Sequence, residues 1–321
     1  MNKIRVAIFT IVLFLVALWL LTPTKLQGTA LDVNPPGELD AWLAASERAV
    51  HEQFGLVPGA EKRITWVEKP RVTQYSILYL HGFSATRQET APLAMMVAAA
   101  LDANLYETRL TGHGRQRAAL VDVSAEDWLR DAAESIAIAA RLGERVIVIG
   151  TSTGATLATA LLDHPVMRSV DTIVMLSPNF APRDAGAAWL TRPGGPLLAR
   201  VLVGDTRSWQ PHNELQGRYW STSYPTKTAI EMMRLVDLAN RQLPAAIPQR
   251  LLMFYSPDDE VISSETALSV FERTEAPQKT AVEIRDPGDP SHHVLAGDIL
   301  SAAKTERIAA EIVGFIRRPA P

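Results

Sequence analysis

The stretch that most constrains this chain is Gly150-Thr151-Ser152-Thr153-Gly154, which lies where the apolar run Val146-Ile147-Val148-Ile149 meets the helix-like run 155–162. That order predicts a strand, a sharp turn and a helix. In such a turn glycines stand where a Cβ would collide with strand or helix, and the serine hydroxyl is lifted to the top of a sheet. Ser152 is the candidate nucleophile. The string G-x-S-x-G alone is weak, because many such strings are only turns. Its position between strand and helix is what singles this one out.

The flanking pattern supplies the rest of a sheet. Apolar runs at 64–67, 77–80, 104–107, 170–176, 251–255 and 281–285 read as strands, and 38–54, 90–101, 125–142 and 305–316 read as helices. Strands alternating with helices of this length imply an α/β fold, a mostly parallel sheet covered on both faces. The interval 179–249 breaks the alternation and is too long for an ordinary loop. It carries Trp189, Trp209 and Trp220, several prolines and a helical stretch at 228–238, so a mostly helical cap insertion is expected there. The organisation expected is a core of 38–178 and 250–321 with a cap at 179–249. The cap holds eight basic against five acidic residues, a mild excess that reads as a solvated charged face.

Ahead of the core, Lys3 and Arg5 precede 6–21, sixteen residues broken only by Thr10 and apolar on every side. This pattern is expected of a membrane anchor with a cytoplasmic N-terminus and an exported remainder. A cleaved signal peptide is the competing expectation, but the nearest small-residue site, Gly28-Thr29-Ala30, lies well past Leu21. Residues 22–37, with Pro23, Pro35, Pro36 and Gly37, read as a linker, and 38–54 as an amphipathic helix with Leu39, Trp42, Leu43, Val50 and Phe54 near one face. A formal net charge of −3, with no basic stretch interleaved with aromatics, argues against a nucleic-acid partner. The absence of cysteine excludes disulfides and thiolate metal sites and leaves the compartment to the N-terminus.

A serine hydroxyl needs an imidazole to take its proton and a carboxylate to orient that imidazole. Past the strand at 251–255 comes Ser256-Pro257-Asp258-Asp259-Glu260-Val261-Ile262, and past the last strand comes Asp289-Pro290-Ser291-His292-His293-Val294-Leu295. Acid and histidine thus follow the serine in the order this kind of fold requires. Of each adjacent pair, Asp258-Asp259 and His292-His293, only one member can face the nucleophile, since neighbouring loop residues point different ways. Charge on the substrate oxygen needs two preorganised N–H donors, expected from Thr153, after the nucleophile, and Phe83, after the strand ending in His81-Gly82. His81 and His113 are read as residues that structure their loops, not as catalysts.

Together with Arg109-Leu110-Thr111-Gly112-His113-Gly114, these segments resemble the α/β-hydrolase superfamily, most closely its monoglyceride lipase and lysophospholipase branch, which includes serine aminopeptidase-like members. The resemblance spans roughly Arg63 to Arg317. It implies catalytic Ser152, an acid at Asp259 rather than Asp258, with one residue between it and the apolar pair Val261-Ile262, and a base at His293 rather than His292, followed by Val294-Leu295, with an oxyanion hole at Phe83 and Thr153 and no cofactor. It further implies hydrolysis of an apolar acyl ester. Amino-terminal peptidase action is the second expectation and would want acid in the cap, where Asp205 and Glu214 are the obvious candidates. A silent, membrane-tethered binding protein is the third, and an intact triad argues against it. Dehalogenase chemistry is disfavoured because that branch carries aspartate where Ser152 stands.

Overall fold

The computed structural model describes residues 3–20, 26, 31, 33, 37–243 and 246–319. Nine strands are present among them: β1 (Arg63–Thr65), β2 (Thr73–Leu80), β3 (Asn104–Glu107), β4 (Gly143–Thr151), β5 (Val170–Leu176), β6 (Thr206–Ser208), β7 (Ser223–Pro225), β8 (Arg250–Tyr255) and β9 (Lys279–Glu283). The α-helices are α1 (Lys3–Leu20), α2 (Leu39–Phe54), α3 (Leu93–Ala100), α4 (Ala125–Leu142), α5 (Thr153–Ala160), α6 (Gly195–Val203), α7 (Glu214–Tyr219), α8 (Thr226–Gln242), α9 (Ser264–Arg273) and α10 (Ala302–Arg317). Seven strands form one sheet in the order β1-β3-β2-β4-β5-β8-β9, parallel throughout except for β1, which runs antiparallel to β3.

The central strands are apolar on both faces because both are covered. Ile77, Tyr79, Ile147, Ile149, Val174, Leu176, Leu252 and Phe254 pack with α3 and α10 through Leu93, Val97, Ile308, Ile312 and Phe315. The alternate residues Leu78, Leu80, Val146, Val148, Ile173, Met175, Leu251 and Met253 face α4, α5 and α9, with Trp128, Leu157 and Phe271 among the partners. Helix α4 begins at a reciprocal cap in which the Ser124 hydroxyl accepts from Asp127 N–H while the Asp127 carboxylate accepts from Ser124 N–H. The register pairs Leu80 with Gly150 and Thr151 with Leu176, so the carboxyl ends of β2, β4 and β5 lie level. Ligands of open α/β sheets bind outside those ends.

Several boundaries differ from the sequence expectations. Helix α3 starts at Leu93, not residue 90, because 84–92 run as an irregular loop of turns and bends from which Ser84 and Glu89 reach the cavity wall. Strand β9 starts at Lys279, two residues early, where pairing with β8 begins at Leu251. The segment between β5 and β8 is less purely helical than expected: beside α6, α7 and α8 it holds the antiparallel pair β6–β7. On α2 the buried residues are Leu39 and Glu47. Glu47 holds Arg109 through two hydrogen bonds of 2.7 and 2.9 Å, an ion pair that the apolar stripe of α2 did not foretell.

The spanning-anchor expectation is not met by the described residues. After its first turn, which holds Lys3 and Arg5, α1 is apolar only over 6–20, a rise of about 22 Å at 1.5 Å per residue against a hydrocarbon core of about 30 Å. Among the described residues no helix is long and apolar enough to cross a membrane. Leu21 and most of 22–37 lie outside them.

Candidate active site

Ser152 sits between β4 and α5 with φ +50° and ψ −113°, a strained backbone for a residue with a side chain. Its N–H donates to Leu176 O at 2.8 Å and its carbonyl accepts from Ala155 and Thr156 N–H, so the turn is clamped on both sides. The next N–H, of Thr153, opens α5 and has no intrahelical acceptor. Phe83 N–H lies on the loop after β2. Neither donor is taken up by an acceptor among the described residues. The Phe83 ring is wedged edge-on against Trp128, Tyr224 and His113, with centroids 5.8, 5.0 and 6.2 Å away. That packing holds the loop in place.

The two ambiguous pairs are separated by geometry. Asp259 is fully buried, while Asp258 is exposed. Asp259 Oδ1 accepts from Val261 and Ile262 N–H at 2.8 and 2.9 Å, and Oδ2 lies 2.8 Å from His293 Nδ1. His292 is turned aside with φ +54°, and its Nδ1 is buried without a partner. Burial works against the His293 imidazolium, but the charge and hydrogen bond of Asp259, with Glu89 and Asp289 nearby, outweigh it and raise the His293 pKa above its ordinary value.

Sequence reasoning missed Asp289. This buried carboxylate accepts from the backbone N–H groups of Ser291, His293 and Val294 and from the Ser291 hydroxyl, at 2.8 to 3.2 Å, and so shapes the loop that presents His293. The Asp-Pro-Ser string at its head was the available signal, since Asp caps its own turn. His81 and His113 behave as loop residues. His81 Nε2 accepts from Leu110 N–H at 3.0 Å and its Nδ1 meets Gly82 O at 2.9 Å, while His113 Nε2 accepts from Ser84 N–H at 3.1 Å. Burial holds both neutral, with His81 lowered to about 4 and His113 held well below the ordinary imidazole value.

Ser152 and His293 face one cavity of about 340 Å³, whose wall includes Phe83, Glu89, Trp209, Trp220, Tyr224 and Met232. Of the three tryptophans expected over the site, Trp209 and Trp220 line it. Trp189 does not: it is 60% exposed and stacks under Arg192. Neither Asp205 nor Glu214 reaches the wall, and Asp205 is paired with Arg200 at 2.8 Å on the surface. 

A sheet of this topology, with a serine at a strained strand-to-helix turn and a buried Asp–His pair at neighbouring strand ends, defines the α/β-hydrolase class. A model of the alpha/beta hydrolase family matches residues 77–299, and the chain belongs to that family. It is 26% identical over 247 residues to a thermostable monoacylglycerol lipase of Bacillus sp. (strain H-257), covering 77% of this chain and 92% of that one. Among solved structures it resembles a chain from work on the metagenome-derived lipolytic enzymes LipS and LipT, at TM-score 0.66 and 18% identity, covering 82% and 99% of the two chains. It also resembles the Paleococcus ferrophilus monoacylglycerol lipase, at TM-score 0.60 and 15% identity, covering 79% and 97%.

Proposed function

We propose that the protein is a serine hydrolase that cleaves carboxylic esters of lipid-like acyl groups through an acyl-enzyme on Ser152. The carrying observation is the buried Asp259–His293 pair, held at 2.8 Å, whose imidazole lines the same cavity as a serine fixed at positive φ at the start of a helix. In this reading His293 Nε2 takes the serine proton as Oγ attacks the ester carbonyl, and Asp259 keeps Nδ1 protonated and the ring oriented. Phe83 and Thr153 N–H receive the negative oxygen. His293 then returns the proton to the leaving alcohol, and water, deprotonated by the same ring, releases the acid.

The acyl preference rests on the wall. Phe83, Trp209, Trp220, Tyr224, Met232 and Val294 offer apolar surface, and the relative matched in sequence is a monoacylglycerol lipase. Each buried methylene should favour binding by about 0.8 kcal/mol until the cavity is full. The exposed apolar side chains of α6, Leu197, Leu198, Val201, Leu202 and Val203, support access to substrate at a lipid surface. The basic N-terminus supports export of the domain, which N-terminal sequencing of fractionated cells would test. For the chemistry, Ser152→Ala should abolish labelling by a fluorophosphonate, and kcat/KM should rise from acetyl to medium-chain p-nitrophenyl and monoacylglycerol esters. Undiminished labelling of the variant, or a profile that is flat or falls from acetyl onward, would overturn the reading.

A further inference from the structure

Glu89 has no part in the mechanism above, yet it is 2% exposed and lies on the wall of the catalytic cavity. We propose that Glu89 is a positioning residue that holds the two oxyanion donors in register, by tying the loop after β2 to the end of β4. The proposal rests on the Ser152 reading, because only that reading requires Phe83 and Thr153 N–H to converge on one oxygen.

The tie can be followed atom by atom. Glu89 Oε2 accepts from Gly82 N–H at 2.8 Å and from the Tyr79 hydroxyl at 3.0 Å. The Tyr79 oxygen lies 3.1 Å from Thr151 Oγ1. Tyr79 has one hydroxyl proton, and it goes to the carboxylate, so Thr151 is the donor in that contact. One carboxyl oxygen therefore links Gly82, immediately before Phe83, to Thr151, immediately before Ser152-Thr153. All of it is buried: Tyr79 is 1% exposed and Thr151 is not exposed at all.

Position is what this tie can supply. Phe83 and Thr153 stand on separate chain segments, and the last pair that joins strands β2 and β4 is Leu80 with Gly150. Past that pair the Thr151–Tyr79–Glu89–Gly82 bridge carries the link onward to the donors. The carboxyl lies flat on the Gly82 backbone, since a Cβ there would stand 2.7 Å from Glu89 Oε1. Burial pushes the Glu89 pKa up to about 7 against the pull of Gly82 N–H, His293 and Tyr79, with Asp289 adding to the rise. Ionised or protonated on Oε1, the group still offers Oε2 as an acceptor. A glutamine side-chain oxygen offers the same, so the bridge does not need the charge.

The test uses the full chain and the variants Glu89→Ala, Glu89→Gln and Tyr79→Phe, with Ser152→Ala as reference. Initial rates with p-nitrophenyl butyrate separate kcat from KM, and a trifluoromethyl ketone that forms a tetrahedral adduct reports on the oxyanion geometry. Glu89→Ala should lose about 100-fold in kcat, with KM within about threefold and a parallel loss of ketone affinity. Tyr79→Phe should lose about tenfold in the same pattern, and Glu89→Gln should recover most of the loss. Circular dichroism and melting curves show whether each variant folds. Should Glu89→Ala not fold, Tyr79→Phe, which removes one hydroxyl, decides the matter. An unchanged kcat in Glu89→Ala or in Tyr79→Phe overturns the proposal, as does a Glu89→Gln enzyme as slow as Glu89→Ala. If Ser152→Ala keeps its activity and labelling, the serine reading falls and takes the proposal with it.

Discussion

Replacing Gly154 by alanine tests how closely the nucleophile turn and the loop after β2 must approach each other. A Cβ at this position would stand 2.0 Å from Leu80 O, 2.7 Å from Leu80 C and 3.0 Å from His81 O. Ordinary contact begins at 3.4 Å, so the Leu80 carbonyl would have to retreat by about 1.4 Å. All three obstacles are backbone, which cannot rotate aside as a side chain can. Leu80 pairs with Gly150 at the end of the β2–β4 ladder, so the retreat opens the sheet just before the segments that carry Phe83 and Thr153, the proposed oxyanion donors. Overpacking of this kind costs about 1–3 kcal/mol of stability. Misplacing an oxyanion donor by about 1 Å costs about 100-fold in rate. Gly154→Ala should therefore unfold at lower urea and show kcat about 100-fold down with KM little changed, measured with a p-nitrophenyl ester. Gly314→Ala is the control: nothing stands within 4 Å of its Cβ, and in the last turn of α10 it should be neutral or gain up to about 0.5–1 kcal/mol. Wild-type stability and a kcat within about threefold in Gly154→Ala would refute the reasoning.

Other expectations follow from the same geometry. Because only neutral His293 can take the serine proton, kcat/KM should rise with pH through a midpoint above the imidazole's ordinary 6.5, and fall as acid protonates the ring. Asp259→Asn removes the charge that raises this pKa, so the midpoint should move down and kcat should drop by ~10³–10⁴-fold; an unmoved pH–rate profile would contradict the pairing. His292→Ala should keep near-normal turnover and His293→Ala should lose it, as steady-state rates will show. Arg109→Met strands the buried Glu47 carboxylate and should cost about 3–5 kcal/mol in urea denaturation; a loss under about 1 kcal/mol would mean that the pair does little for the fold.

Much of this molecule is written locally. The strand-turn-helix around Ser152 follows from an apolar run, two glycines and a helix-forming run, and strand β3, helix α4 and strand β5 fall where periodicity puts them. The order of serine, acid and histidine past successive strand ends can also be read along the chain, because a parallel sheet sends every loop after a strand to the same edge. The choice within Asp258-Asp259 and His292-His293 is different in kind. Both members of each pair are the same residue type on the same loop, so along the chain only the resemblance favoured Asp259 and His293, and the physical distinction, one buried and paired and the other turned aside, exists only in the folded loops. Glu47 with Arg109, Asp289 under the histidine loop, and Glu89 between Tyr79 and Gly82 were likewise decided by tertiary structure. A charged residue in a sequence looks solvated until a distant partner is brought to it, and for Glu47 that partner is 62 residues away. Periodicity reports which face of an element is apolar. Which polar groups are buried, and against what, depends on contacts that exist only once the chain is folded.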